Sequence, residues 1–180
     1  MTILASQQSR RRAATAATSI TQPAQTREFD RNRIDSTIHI PRSFVCEFSS
    51  GIIDVELSSE EPDWLYRLIG DLRDSSFLEP NWDSYNGRPV TFEAAYAALH
   101  FAAAMLPAHA HGPTVVPASS GGVQLEWHRL GGDLEVFFST TGQLSASFDA
   151  ADSDESWDVD GSTLSHTALR RAVEHVSAMS

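Results

Sequence analysis

The spacing of apolar residues changes several times along this chain, and each change marks an element. Ile38, Ile40, Phe44, Val45 and Phe48 stand around Pro41, and Ser49-Ser50-Gly51 separates them from Ile52-Ile53-Asp54-Val55-Glu56-Leu57. The β-branched and aromatic content predicts a hairpin, with its first strand at an edge because proline brings no N–H to a ladder. From Trp64 the period lengthens to that of a helix, with Leu65, Leu68, Ile69 and Leu72 on one stripe. Ser59 is the expected cap, and Glu60, Glu61 and Asp63 would set carboxylates at the positive end of the dipole around Pro62, with the helix ending near Ser75.

After a loop at 79–90, Thr91 is placed to cap a second helix. Phe92, Tyr96, Leu99, Ala103 and Leu106 fall on one of its faces, while Phe101 and Met105 point the other way among Ala94, Ala97 and Ala98. Apolar surface on two sides predicts a helix sandwiched inside the domain, with a docking face as the alternative. Pro107 to Pro113 then read as a loop.

Strict alternation follows. Val123, Leu125 and Trp127 interleave with Gln124, Glu126 and His128, and Gly131-Gly132 suits a two-residue hairpin turn. That turn would set Trp127 opposite Val136, Leu125 opposite Phe138 and His128 opposite Glu135, so that both strands agree on a core side. Gly142 turns the chain into Leu144, Ala146 and Phe148; Trp157 and Val159 suggest a further short strand. Ser162 or Thr163 would cap a last helix with Leu164, Ala168, Leu169, Ala172, Val176 and Met179 inside. The sum is an α+β fold: an antiparallel β-meander with two helices before it and one after, the helices packed on one sheet face.

At 180 residues the chain suits one domain with a tail. Residues 1–33 carry six arginines against Glu28 and Asp30, leaving seven arginines and 22 acids for residues 34–180. The expected division is a disordered basic tail over 1–33, polar and without apolar periodicity, followed by a single domain over 34–180. Ser9-Arg10-Arg11 has the form of a twin-arginine signal, but Ala13 to Ile20 is too polar to complete one. An acidic body disfavours nucleic acid as a partner, and the sequence has no apolar run of membrane-spanning length. One cysteine, Cys46, precludes an intrachain disulfide and suits a reducing, cytoplasmic compartment. The chain has no lysine, which excludes Schiff-base chemistry and a lysine-bearing phosphate loop.

Asn81-Trp82-Asp83-Ser84-Tyr85-Asn86-Gly87-Arg88-Pro89-Val90, an alanine-rich helix, and Gly121-Gly122-Val123-Gln124-Leu125-Glu126-Trp127 resemble a family of short bacterial proteins. That family has a Trp-Asp-x-Tyr loop before such a helix and a Gly-Gly-(Ile/Val)-Gln-Leu-Glu-Trp strand after it. The likeness covers residues 64–148, implies a bacterial source and carries no assigned activity. This chain differs in having Asn86-Gly87 where the family pattern has Gly-Ala, and in its basic start.

Two groups of residues are candidate sites. In the loop, Trp82 and Tyr85 join large contact area to polar handles, Asp83 and Arg88 can pair or bind, and Asn86-Gly87 favours a tight turn. Read for packing alone, Trp82 and Tyr85 plug the core and Asp83 caps local amides; read for binding, the loop anchors a partner. On the meander, Glu126, His128 and Glu135 share the polar face, where they are either a solvated sheet surface or an acid/base group. His109 and His111 have no ligand at diagnostic spacing, and the acidic run from Asp149 to Asp160 lacks the glycine and terminal glutamate of a calcium loop, so no metal and no cofactor is expected. There is no GxSxG elbow, glycine-rich phosphate loop or HExxH. The chain therefore reads as a non-enzymatic module that binds another protein, like an antitoxin, immunity factor or adaptor. The alternative is a small hydrolase or nuclease using the His/Glu cluster.

Overall fold

A computed structural model of the chain describes residues 2–6, 42–57, 61–129, 131–161 and 165–178. In chain order the elements are strands β1 (Thr2–Ser6), β2 (Arg42–Phe48) and β3 (Gly51–Leu57), helices α1 (Leu65–Ser76) and α2 (Phe92–Met105), strands β4 (Thr114–Pro117), β5 (Val123–Arg129), β6 (Gly132–Phe138), β7 (Leu144–Ala150) and β8 (Ser156–Asp160), and helix α3 (His166–Ser177). They build two antiparallel sheets, one of three strands in the order β1-β3-β2 and a meander of five in sequence order from β4 to β8. The fold is α+β, with two helices before the meander and one after it. The meander turns one face to α2 and α3, while α1 and α2 also touch the small sheet. Among the described residues no helix is long and apolar enough to cross a membrane.

Alternation decides which face is core. Val123, Leu125 and Trp127 on β5, Leu134, Val136 and Phe138 on β6, and Ala146 and Phe148 on β7 are buried. Ile53, Val55 and Leu57 do the same for the small sheet, with Phe48 edge-on to Phe92 of α2. Leu169, Ala172, Val173 and Val176 are the buried stripe of α3, and one contiguous cluster joins both sheets and all three helices.

Several expectations are corrected. Thr2–Ser6 is a strand and not tail: it pairs along β3, from Thr2 opposite Glu56 to Ser6 opposite Ile52, and Ile3 is buried. Its partner lies some fifty residues away, so nothing local announces it. The rest of the predicted tail is outside the described residues, as are Ser59, Ser162 and Thr163. Helix α1 starts at Leu65 with no acidic residue in its first turn, because tertiary contacts fix its entry. The Asp63 amide donates to the Ala108 carbonyl at 3.1 Å and the Trp64 indole to the Pro107 carbonyl at 2.9 Å. The cap of α3 is Ser165, whose hydroxyl accepts from the Ala168 amide. Thr91 caps α2 in the same way, as expected.

The central hairpin is also shifted. Trp127 faces Leu134, Leu125 faces Val136, Glu126 faces Glu135 and His128 faces Asp133. Arg129 pairs with Gly132, which puts the turn one position earlier than expected. Gly132 begins β6 with φ at 144°, and a Cβ there would lie 2.4 Å from the Asp149 carbonyl oxygen, so the glycine is needed for the approach of β7 and not for the turn. A slip of two residues preserves the side-chain parity, and the core face stands as expected.

Candidate functional site

The loop between α1 and α2 is built around one carboxylate. Asp83 Oδ1 accepts from the amides of Tyr85 and Gly87, each at 2.8 Å, and its Oδ2 is held by the Ser119 hydroxyl. These donors, with Ser119 first, pull the Asp83 carboxyl below the ordinary carboxylate range because each favours the ionised form. Asn81, Ser84 and Asn86 all take positive φ, a conformation that short polar side chains tolerate best. Gly87 packs on Asp83 so closely that a Cβ would lie 2.6 Å from its Cγ.

The Trp82 indole donates to the Arg88 carbonyl at 3.1 Å, and Trp82 is half-buried. Arg88 binds the neighbouring segment through its backbone, its amide donating to the Ser119 carbonyl at 3.0 Å, while the residue is exposed. Tyr85 is 85% exposed. Asp83 and Trp82 therefore hold the loop's shape, and Tyr85 is the large side chain it presents.

On the outer face of the meander the corrected register brings together a different set of neighbours from the one expected. Glu126 and Glu135 stand directly opposite each other on adjacent strands. His128 Nε2 lies 3.0 Å from Glu126 Oε2, and His128 Nδ1 lies 2.9 Å from Asp133 Oδ1. The two carboxylates, Asp133 first, push the His128 pKa up, since both favour the imidazolium. Gln124 donates its amide to the other oxygen of Glu126 at 3.0 Å. Glu126, His128 and Glu135 are thus one cluster, as the sequence suggested. Asp133 and Gln124 complete it. A shallow polar depression of about 470 Å³ adjoins it over β6 to β8, bordered by Asp133, Glu135, Ser147, Asp149 and Asp158.

The remaining candidates separate. His109 Nδ1 pairs with Asp63 at 3.3 Å, whereas His111 stitches the loop through its backbone, its amide donating to the Ser177 carbonyl and its carbonyl accepting from Trp127. Cys46 is buried, and that burial raises its thiol pKa, which makes it a poor nucleophile.

The sequence left one feature open, whether α2 is sandwiched or presents a docking face. Helix α2 buries Ala94, Ala95, Ala98, Leu99 and Ala102, but its flank leaves an open groove of about 680 Å³. Phe92, Tyr96, His100, Phe101, Phe138 and Leu144 line it, with Thr141 and Gly142 of the β6–β7 turn at its rim. The two-sided apolar pattern of the helix was the available signal. It shows that both sides are apolar and not which of them stays open.

No family model matches this chain, and no curated protein or solved structure shows significant similarity to it.

Proposed function

We propose that this protein is a non-enzymatic module of the bacterial cytoplasm that docks on another protein, in the manner of an antitoxin, immunity factor or adaptor. The groove along α2 carries the reading. Its volume lies within the range of about 300–1,000 Å³ typical of ligand clefts. It is open along one side and apolar between Glu93 and His100, a shape suited to the side chains of an amphipathic partner segment laid against α2. The net charge of -11 favours a basic partner through steering and complementarity and works against nucleic acid. The loop at 81–88, with Tyr85 outward, supplies a second contact of the residue type that dominates interface energies. A single buried cysteine suits a reducing compartment.

The alternative, a small hydrolase or nuclease, draws support from the Glu126–His128–Glu135 cluster. That cluster stands on an open sheet surface, where water has free access and little surrounds a substrate, so the docking reading is preferred.

The test is capture of the tagged protein's partner from cells that make it, reconstitution of the pair from purified components, and amide exchange on the complex. New protection along α2 and residues 138–144 supports the proposal. Elution of the protein alone at every concentration, or protection confined to other surfaces, overturns it.

A further inference from the structure

Apart from the docking groove, we propose that Glu126, His128 and Glu135 hold a divalent transition-metal cation of the zinc type on the outer face of the meander. Each residue offers one ligand atom, and the three atoms lie within 4.8 Å of one another. Metal–ligand bonds of about 2.0–2.2 Å place two ligands up to about 4.4 Å apart, so a small side-chain rotation closes the site. One imidazole and two carboxylates make a donor set suited to zinc and its neighbours, with further positions left for water.

The groups behind the ligands are arranged as metal sites require. A histidine ligand needs one nitrogen free and the other held by a carboxylate or carbonyl. Asp133 accepts the His128 Nδ1–H at 2.9 Å, and Nε2 lies 3.0 Å from Glu126 Oε2, so a cation between them would take the place of the proton that Nε2 shares with Glu126. Gln124 holds the spare oxygen of Glu126 at 3.0 Å. The ladder sets these groups together, with His128 opposite Asp133 and Glu126 opposite Glu135 across β5 and β6, while Gln124 reaches Glu126 along β5. Two like charges directly opposite in a ladder are unfavourable by themselves, and a shared cation turns that repulsion into a clamp between the two strands. The site is reachable: the His128 side chain is 53% exposed.

The experiment is calorimetric titration of the full chain, first stripped with chelator, with zinc chloride and then with cobalt(II) chloride, following the visible cobalt bands. One equivalent should bind with micromolar or tighter affinity. His128→Ala and Glu135→Gln should each weaken binding at least tenfold, with circular dichroism unchanged. Asp133→Asn, at a positioning residue, should weaken it about 10- to 100-fold and shift the cobalt spectrum, while His109→Ala should leave both unaltered. In the wild-type chain, cobalt should broaden the His128 ring resonances before those of any other histidine, a readout that needs no variant. Absence of stoichiometric binding, equal affinity in Glu135→Gln, or first broadening at another histidine would each overturn the site.

Discussion

Replacing Trp127 by alanine tests the core face on which both surface readings depend. Trp127 is 2% exposed on β5, and its indole donates to the His111 carbonyl at 3.1 Å. A fully buried tryptophan removes up to about 250 Å² from water, and about 25 cal/mol per Å² makes this about 6 kcal/mol as an upper bound. Measured losses for such truncations run about 3–5 kcal/mol, and stranding the His111 carbonyl adds about 1 kcal/mol. The expected cost is therefore about 4–6 kcal/mol, a large part of the roughly 5–15 kcal/mol that holds a domain folded. Urea unfolding followed by far-ultraviolet circular dichroism measures it without relying on the removed fluorophore. Trp127→Phe, which keeps most of the ring volume but no N–H, should cost only about 1–2 kcal/mol and stay folded if the alanine variant does not. A Trp127→Ala protein within about 1 kcal/mol of wild type would refute the burial, and with it the outward placement of Glu126 and His128.

Three further outcomes are expected. Ile3→Ala should cost about 2 kcal/mol in urea unfolding because Ile3 is buried against the small sheet, and an unchanged midpoint would remove β1 from the fold. Asp83 has its carboxyl pKa lowered from 3.8, so its contribution is complete above that pH and lost as pH falls through the lower folded value. The melting advantage of wild type over Asp83→Asn should accordingly be constant near neutrality and shrink below pH 3.8, and an advantage that grows on acidification would contradict the carboxylate's role. Tyr85→Ala should leave the melting curve within about 0.5 kcal/mol of wild type, as exposed substitutions do, and a much earlier melt would show that Tyr85 packs.

The elements whose partners are close in sequence were legible. Alternation along Val123 to Trp127 identified the core face, and it survived a two-residue error in register because the side-chain period is two. The same error mattered for chemistry: it set His128 against Glu135 on paper, where the chain sets it against Asp133 and places Glu126 opposite Glu135. Thr91 was legible as a cap since its hydroxyl serves an amide three residues on, whereas the start of α1 depends on the carbonyls of Pro107 and Ala108 some forty residues later. The loop at 81–88 was visible as an Asn/Gly turn, but Ser119, which locks Asp83, comes from the segment before β5 and leaves no local trace. The groove depends on which flank of α2 the β6–β7 turn leaves uncovered. Helical periodicity alone does not decide that.

The affinity of the captured partner for a groove variant tests docking along α2 most directly. Ala104 lines the groove and is exposed, so Ala104→Glu places a charge there while leaving the core untouched. Calorimetry with the purified partner should show an affinity about 30-fold weaker than wild type, equivalent to about 2 kcal/mol, at an unaltered melting temperature. Equal affinity for both proteins would contradict docking in the groove.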